Sequence, residues 1–414
     1  MSASQAAVSR YHEHELAGRA REVMPSGNTR TTLFVPPTPP YARSGFGAMI
    51  EDELGHRVID CNNNYTALIH GHAFGPIQEA VAKVLMTGTA FGLPTATEVD
   101  LAERLRSRTG LNRWRFSNSG TEAVMTAVRG ARAFTGRDKI VRFAGSYHGT
   151  SDAVVDVTAP GIPAGVAAES IVVPQGDAEA FDAAMKQFGG SVAGVIIDLL
   201  PNRAGLVRAD RGFVDHVRES TRRTGSLLIV DEVITFRLAV GGLHSEYAME
   251  PDLVALGKII GGGFPVGAVG GTEEVMAVFD PLRSAHVGWG GTFSANPVSM
   301  TAGLVALEYF DASAVDRLNG LGEMLRELLR AEGVAVSGFG SLSQIREDLD
   351  LKRLWWDLYL EGVLAGTNGL LALSTPMTDD DVRRIATTVT KVIHAARANE
   401  HDRLTRAPVL RSRP

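Results

Sequence analysis

The stretch from Leu227 to Gly271 places one carboxylate and one lysine where folding alone asks for neither. Residues 227–230 are a short, wholly apolar run of the kind that makes a strand buried on both faces, and Asp231 stands at its end. Residues 253–257 are a second such run, and Lys258 stands at its end. The interval leaves room for one crossover between neighbouring strands. In an open α/β sheet the ligand lies outside the carboxyl ends of the strands, so both side chains are expected to face one crevice. Lys258 is followed by Ile-Ile-Gly-Gly-Gly-Phe-Pro, which offers no polar side chain. A desolvated amine gives up its proton more readily and becomes a nucleophile toward carbonyls. An aldehyde cofactor that forms a Schiff base with a lysine, and whose pyridinium nitrogen needs a carboxylate beside it, asks for this pair: pyridoxal phosphate. Taken singly, Asp231 also reads as a turn residue and Lys258 as a surface lysine, so the case depends on the cofactor's other contacts.

At 414 residues the chain exceeds one ordinary core, and two domains are expected. With 44% hydrophobic residues, 21% charged residues and 45 glycines it reads as a glycine-rich α/β enzyme. A net charge of −6 argues against nucleic acid or an anionic membrane as the main partner. The single cysteine, Cys61, excludes an internal disulfide framework. The first residues lack the basic and apolar segments of a signal peptide, and the expectation is a cytoplasmic protein.

Residues 8–24 have helical character, ended at Pro25-Ser26-Gly27, and residues 48–61 read as a hairpin. Between them, Arg30 in a polar, turn-rich stretch is a candidate clamp for a substrate carboxylate, although it equally reads as a solvated arginine. Tyr65 is a candidate wall of the substrate pocket. His70 and His72 have no carboxylate or cysteine at ligand spacing, so no metal site is expected. Strand-like residues 113–116 lead into Ser117-Asn118-Ser119-Gly120-Thr121-Glu122 and then a helix over 123–134. A strand, a small-residue turn and a helix N-terminus hold a phosphate with backbone N–H groups, so Ser119, Gly120 and Thr121 are phosphate candidates; helix capping explains the same residues. Tyr147, after a strand over 139–143, can lay its ring on a flat pyridine. The glycine-dense turn around Thr292 can supply further donors to a phosphate. A helix over 297–310 is expected to join a large domain (61–300) to a C-terminal small domain (301–398), to which residues 1–60 also contribute. Residues 399–414 are expected to form a mobile tail.

Taken together, SNSGTEA, FAGSYHG, LIVDEVITFRL, ALGKIIGGGFPVGAVGG and GTFSANPVSM, with PSGNTRTTLF and NYTALIHGH before them, closely resemble class III aminotransferases of fold type I. The similarity is to the branch containing glutamate-1-semialdehyde aminomutases and β-amino acid aminotransferases. The resemblance implies an α/β fold with a mostly parallel mixed sheet flanked by helices, plus a smaller α+β domain from both termini. It implies that Lys258 forms the Schiff base and then carries the proton, while Asp231 keeps the pyridine nitrogen protonated. Tyr147 and Val233 would sandwich the ring, with His148 in the same cofactor-binding set. Ser119, Gly120 and Thr121 would hold the phosphate, and Thr292 would reach it from the neighbouring subunit of a homodimer. Arg30 would bind the substrate carboxylate.

The chain also departs from its relatives. The run from Gly149 to Val173 is shorter than the gating segment of a semialdehyde aminomutase. Asp198-Leu199-Leu200-Pro201-Asn202-Arg203 replaces the usual Glu-Pro pair, which puts Asn202 or Arg203 in line for the cofactor's phenolic oxygen. Asn368 stands where the β-amino acid enzymes carry an arginine. The expected activity is transfer of an amino group from an amino acid, a β-amino acid included, or an amine to a keto or aldehyde acceptor. An intramolecular 2,1-aminomutase is the alternative, and a non-catalytic sensor that binds pyridoxal phosphate a remote one.

Overall fold

The computed structural model describes residues 3–406, with side chains described over 5–399. Its centre is a seven-stranded sheet in the order Arg113–Ser117, Gly267–Gly271, Leu253–Gly257, Leu227–Asp231, Val192–Ile197, Lys139–Phe143, Ser170–Val173. Five neighbouring strands run parallel. Gly267–Gly271 is antiparallel to both of its neighbours. Every residue of Val192–Ile197, Leu227–Asp231 and Leu253–Gly257 is buried. That is why these segments are continuously apolar rather than alternating: helices cover both faces of the sheet. The helix Gly120–Thr135 packs one of those faces through Ala123, Val124, Ala127, Val128 and Ala131.

Two smaller sheets draw on distant parts of the chain. Ala42–Phe46, Met49–Asp52 and Arg57–Asp60 form the expected hairpin with one added strand, and the C-terminal Val363–Leu364 joins it in parallel beside Ile59 and Asp60. Val336–Phe339, Leu342–Ile345 and Leu370–Ala372 form the third sheet. The resulting architecture is the α/β fold type I arrangement, with a mixed central sheet and a smaller α+β part built from both ends of the chain.

Some elements differ from expectation. The N-terminal helix is two helices, Ala3–Glu13 and Glu15–Val23, because His14 takes an extended conformation and its ring accepts the Leu16 N–H, capping the second. The last helix, Asp379–Arg406, continues past residue 398, with no proline before Pro408 to stop it. The remainder of the anticipated tail, 407–414, lies outside the described residues. His70 and His72 are taken up locally: His70 bonds the Ala306 carbonyl and Thr375, and His72 Nε2 lies 2.7 Å from Asp60 Oδ2. Among the described residues no helix is long and apolar enough to cross a membrane.

Candidate active site

Three adjacent strands of the central sheet deliver Asp198, Asp231 and Lys258 at the same edge. Asp198 follows Val192–Ile197 directly, Asp231 closes Leu227–Asp231, and Lys258 follows Leu253–Gly257. Asp231 is buried, and a carboxylate only accepts hydrogen bonds, so its two partners are donors. His148 Nδ1 donates to Asp231 Oδ2 at 2.8 Å, and the Val233 N–H donates to Oδ1 at 3.0 Å. Nε2 of His148 is buried without a partner among the described residues.

Asp198 Oδ1 accepts the Leu200 N–H at 3.0 Å. Burial, reinforced by the charge of Asp231, pushes the Asp198 carboxyl up to about 7. Lys258 lines the cavity with a backbone φ of 50°, in the left-handed region that only a constrained non-glycine residue occupies. Burial lowers its pKa, and this outweighs the opposing pull of Asp231 and Asp198. The lysine is thereby nearer to the neutral amine that attacks carbonyls.

Beside this row lies an anion cradle. Ser119 caps the helix Gly120–Thr135: its Oγ accepts the Glu122 N–H at 3.2 Å, while Glu122 Oε2 accepts the Asn118 N–H at 2.6 Å. Helix geometry leaves the N–H groups of Gly120 and Thr121 without an intrahelical acceptor, at the positive end of the helix dipole. Space here is tight. A Cβ on Gly120 would meet Val233 Cγ1 at 2.8 Å, and one on Gly149 would meet Thr121 Oγ1 at 2.5 Å. Capping and anion binding, which compete as explanations in the sequence, coexist: the cap occupies the Glu122 and Asn118 N–H groups and leaves the first two of the helix.

The substrate-sized space is a cavity of about 790 Å³ lined by Tyr65, Tyr147, Asp198, Arg203, Lys258 and Asn368, among others. Arg203 Cζ stands 4.0 Å from the centre of the Tyr147 ring. Asn368 Nδ2 donates to Asn202 Oδ1 at 3.0 Å, which holds Asn202 against the cavity wall. Arg30 lies next door, in a cavity of about 360 Å³ that shares Tyr65 and Thr367 with the first. It donates to Asn64 Oδ1 at 2.8 Å, with Cζ 6.0 Å from the Tyr65 ring centre. Thr292 is exposed and sits apart, in a third cavity of about 780 Å³ with Trp114, Phe116 and Phe91. Sequence reasoning overlooked Asp198 as a site residue, although its place after an apolar run matched that of Asp231. It also overlooked Arg346 and Gln344, which reach the cavity from the third sheet and carry no local signal.

Residues 36–347 match the family model described as Aminotransferase class-III. The chain belongs to the class III aminotransferase family. The glutamate-1-semialdehyde 2,1-aminomutase of Methanothermobacter thermautotrophicus is 41% identical over 327 residues, 76% of this chain and 77% of that protein. Among solved structures, an omega-transaminase from Sphaerobacter thermophilus superposes with a TM-score of 0.90 at 41% identity, covering 94% of this chain and 99% of the other. A beta-phenylalanine aminotransferase from Variovorax paradoxus gives 0.88 at 32%, covering 95% and 97%.

Class III aminotransferases depend on pyridoxal phosphate, and this aminotransferase has the features that such a group requires. It offers a depressed lysine amine, a buried carboxylate with a histidine behind it, and a glycine-walled helix start for the phosphate. Gly257, the residue before Lys258, has room for a Cβ only 3.4 Å from Gly120 Cα, so lysine and cradle are direct neighbours.

Proposed function

We propose that the cavity over Lys258 exchanges an amino group between two small molecules, an amine or amino acid and a keto or aldehyde acceptor. The observation that carries this is the row Asp198, Asp231, Lys258 on adjoining strand ends beside an anion cradle. Bound pyridoxal phosphate supplies a carbon that captures amines and a ring that takes up the electron pair left when a substrate C–H proton departs. Lys258 holds the cofactor and moves that proton between the substrate carbon and the cofactor carbon. Its depressed basicity suits both tasks. Asp231 keeps a proton on the pyridine nitrogen, and His148 fixes the carboxylate for that contact.

Ser119, Gly120 and Thr121 hold the phosphate. Val233, packed on Gly120, is one wall of the ring site and Tyr147 the other. Arg30 binds the substrate carboxylate across Tyr65, and Arg203 and Asn368 bound the remainder of the pocket. Thr292 lies outside the lining of the cavity over Lys258, and we assign it to the phosphate of a second copy in a homodimer. Residues 61–300 form the cofactor domain, and 1–60 with 301–398 the small domain. We place the protein in the cytoplasm, where buried Cys61 remains a thiol.

The visible absorption of the purified protein tests this, with candidate amines added singly. A band from lysine-bound cofactor that bleaches with a given amine establishes the first half of the transfer and names the donor class. A band unchanged in Lys258→Ala after dialysis removes the lysine from its role. Replacing Arg30 by Ala is expected to raise KM for carboxylate-bearing substrates about tenfold. An intramolecular 2,1-aminomutase is the second reading, favoured by the 41% identity to the archaeal relative of that name. A mutase turns over one substrate with no added acceptor, and the exchange proposed here does not.

A further inference from the structure

Glu232 follows Asp231 directly and is fully buried, yet the aminotransfer reading gives it no task. Four donors converge on its carboxyl. Oε2 accepts from Thr235 Oγ1 at 2.5 Å and from the Leu243 N–H at 3.1 Å. Oε1 accepts from the His244 N–H at 2.6 Å and from His244 Nδ1 at 2.9 Å. Nδ1 is the donor in the last of these because a carboxylate only accepts. The main chain of Glu232 is tied as well: its N–H donates to the Ala255 carbonyl at 2.9 Å, and its own carbonyl accepts the Phe236 N–H at 3.0 Å. Ala255 belongs to the strand that leads to Lys258. Gly242, with a φ of 92°, brings the chain back past this carboxyl, where a Cβ would stand 3.0 Å from His244 Nδ1 and 3.1 Å from Glu232 Oε1.

These bonds close residues 233–243 into an arch with both feet on Glu232. Val233, at the first foot, presses against Gly120 and Gly257 and donates its N–H to Asp231 Oδ1. Ile234 lines the cavity over Lys258. Arg237, at the middle of the arch, is fully buried and reaches the third sheet, where it donates to Ser341 Oγ at 3.0 Å and to the Leu373 carbonyl. Asn319 fastens the next residue: its Nδ2 donates to the Leu238 carbonyl at 2.8 Å, while its Oδ1 accepts the Ser341 N–H at 3.0 Å. One side of the arch is therefore the wall of the ring site, and the other is docked on the C-terminal part of the chain.

We propose that Glu232 and His244 are a positioning pair for the aminotransfer site: by clamping the two feet of the arch they hold Val233 against Gly120 as the wall of the ring site. This rests on the aminotransfer reading above. Neither residue lines the cavity over Lys258, so both act through the backbone they tie down. A carboxylate gripped by four donors fixes direction as well as distance, which an apolar contact of the same size does not. With the clamp released, Val233 is free to leave Gly120, and a flat ring between Val233 and Tyr147 gains room to tilt.

The test compares Glu232→Gln, His244→Leu and His244→Asn with wild type. Asparagine carries its amide nitrogen on the same carbon that bears Nδ1 in histidine, so His244→Asn keeps the donor that His244→Leu removes. Visible circular dichroism of the bound cofactor reports the tilt of its ring. Glu232→Gln and His244→Leu are expected to lose most of that signal, to hold the cofactor about tenfold more weakly in equilibrium dialysis, and to lose about tenfold in kcat with little change in KM. His244→Asn is expected to recover most of each. In cofactor-free protein, amide exchange at residues 242–244 is expected to quicken in the two damaged variants and not in His244→Asn. A lowered melting temperature with dichroism, cofactor affinity and kcat all at wild-type values overturns the proposal and leaves the pair a staple of the fold. Equal damage from His244→Asn and His244→Leu overturns it too, and these two variants decide the matter if Glu232→Gln does not fold. A wild-type protein that shows no cofactor band overturns the aminotransfer reading instead, and the positioning role falls with it.

Discussion

Asp198 keeps its proton, in the folded chain, to a pH at which an exposed aspartate has long lost it. Its carboxyl moves from 3.8 to about 7, through burial first and the charge of Asp231 second. Between those values the native state holds a proton that the unfolded chain does not, so stability falls as pH rises through that window. The slope approaches about 1.4 kcal/mol per pH unit for one such group. Asp198→Asn removes the ionisation, and its urea midpoint relative to wild type, measured on cofactor-stripped protein, is expected to rise between pH 5 and pH 8. A constant difference would mean that Asp198 is ionised throughout. Asp231 answers to a different measurement: Asp231→Asn keeps the shape and removes the charge, and kcat is expected to drop about 10²- to 10³-fold. Both residues were equally visible in the sequence, since each ends an apolar run. Asp231 drew attention because a lysine follows it one crossover later, whereas Asp198 acquires meaning only when the sheet sets their two strands side by side. Arg346 was beyond sequence reasoning altogether, because its place depends on Gly205, far away in the chain.

The start of the helix Gly120–Thr135 shows what an element adds to its residues. Its N-terminus was legible from small residues followed by Glu122, but the reason for Gly120 was not: Val233 presses on the position where a Cβ would stand. Gly120→Ala is expected to push Val233 off the ring site and weaken cofactor affinity about tenfold or more, read by equilibrium dialysis, while the helix itself gains from alanine. A second element escaped the sequence completely. Asn63, Asn64, Tyr65 and Thr66 all have positive φ, between 49° and 73°, and form a left-handed turn between the two cavities. Such backbone costs about 1–2 kcal/mol per residue, and it is held by Asp60, which accepts the N–H groups of Asn62 and Asn63, and by Asn62, which accepts that of Tyr65. Asn63 adds a bond to the Ala372 carbonyl in the third sheet. The asparagines of NNNYT tolerate such backbone, but the bond that ties the turn to Ala372 comes from a strand distant in sequence. Its effect is to aim Tyr65 at the wall common to both cavities.

At the scale of the whole molecule, the proposed homodimer has a candidate seam. Phe91, Leu93, Leu282 and Phe293 are large apolar side chains left 54%, 77%, 93% and 61% exposed, and Phe91 and Leu93 line the same cavity as Thr292. An apolar patch of this kind calls for a partner surface. Sedimentation is expected to give twice the 44.1 kDa of the chain. Leu93→Glu is expected to yield monomers with weakened cofactor retention, and a fully active monomer would refute the shared site. The central sheet carries a different consequence. Gly267–Gly271 runs against its neighbours, between the strand that ends at Lys258 and the strand that leads to Ser119. It is nearly bare of side chains because Ser119 O, Trp114 and Asp252 O crowd its glycines. Ideal strand spacing would set the two outer strands about 10 Å apart, yet beyond the end of this strand a Cβ on Gly257 would stand 3.4 Å from Gly120 Cα, so the lysine turn and the phosphate turn meet. The strand is a recess: it touches no reacting atom, yet a side chain at Gly267 would collide with Ser119 O, 2.0 Å from where its Cβ would stand, and force the two anchors apart.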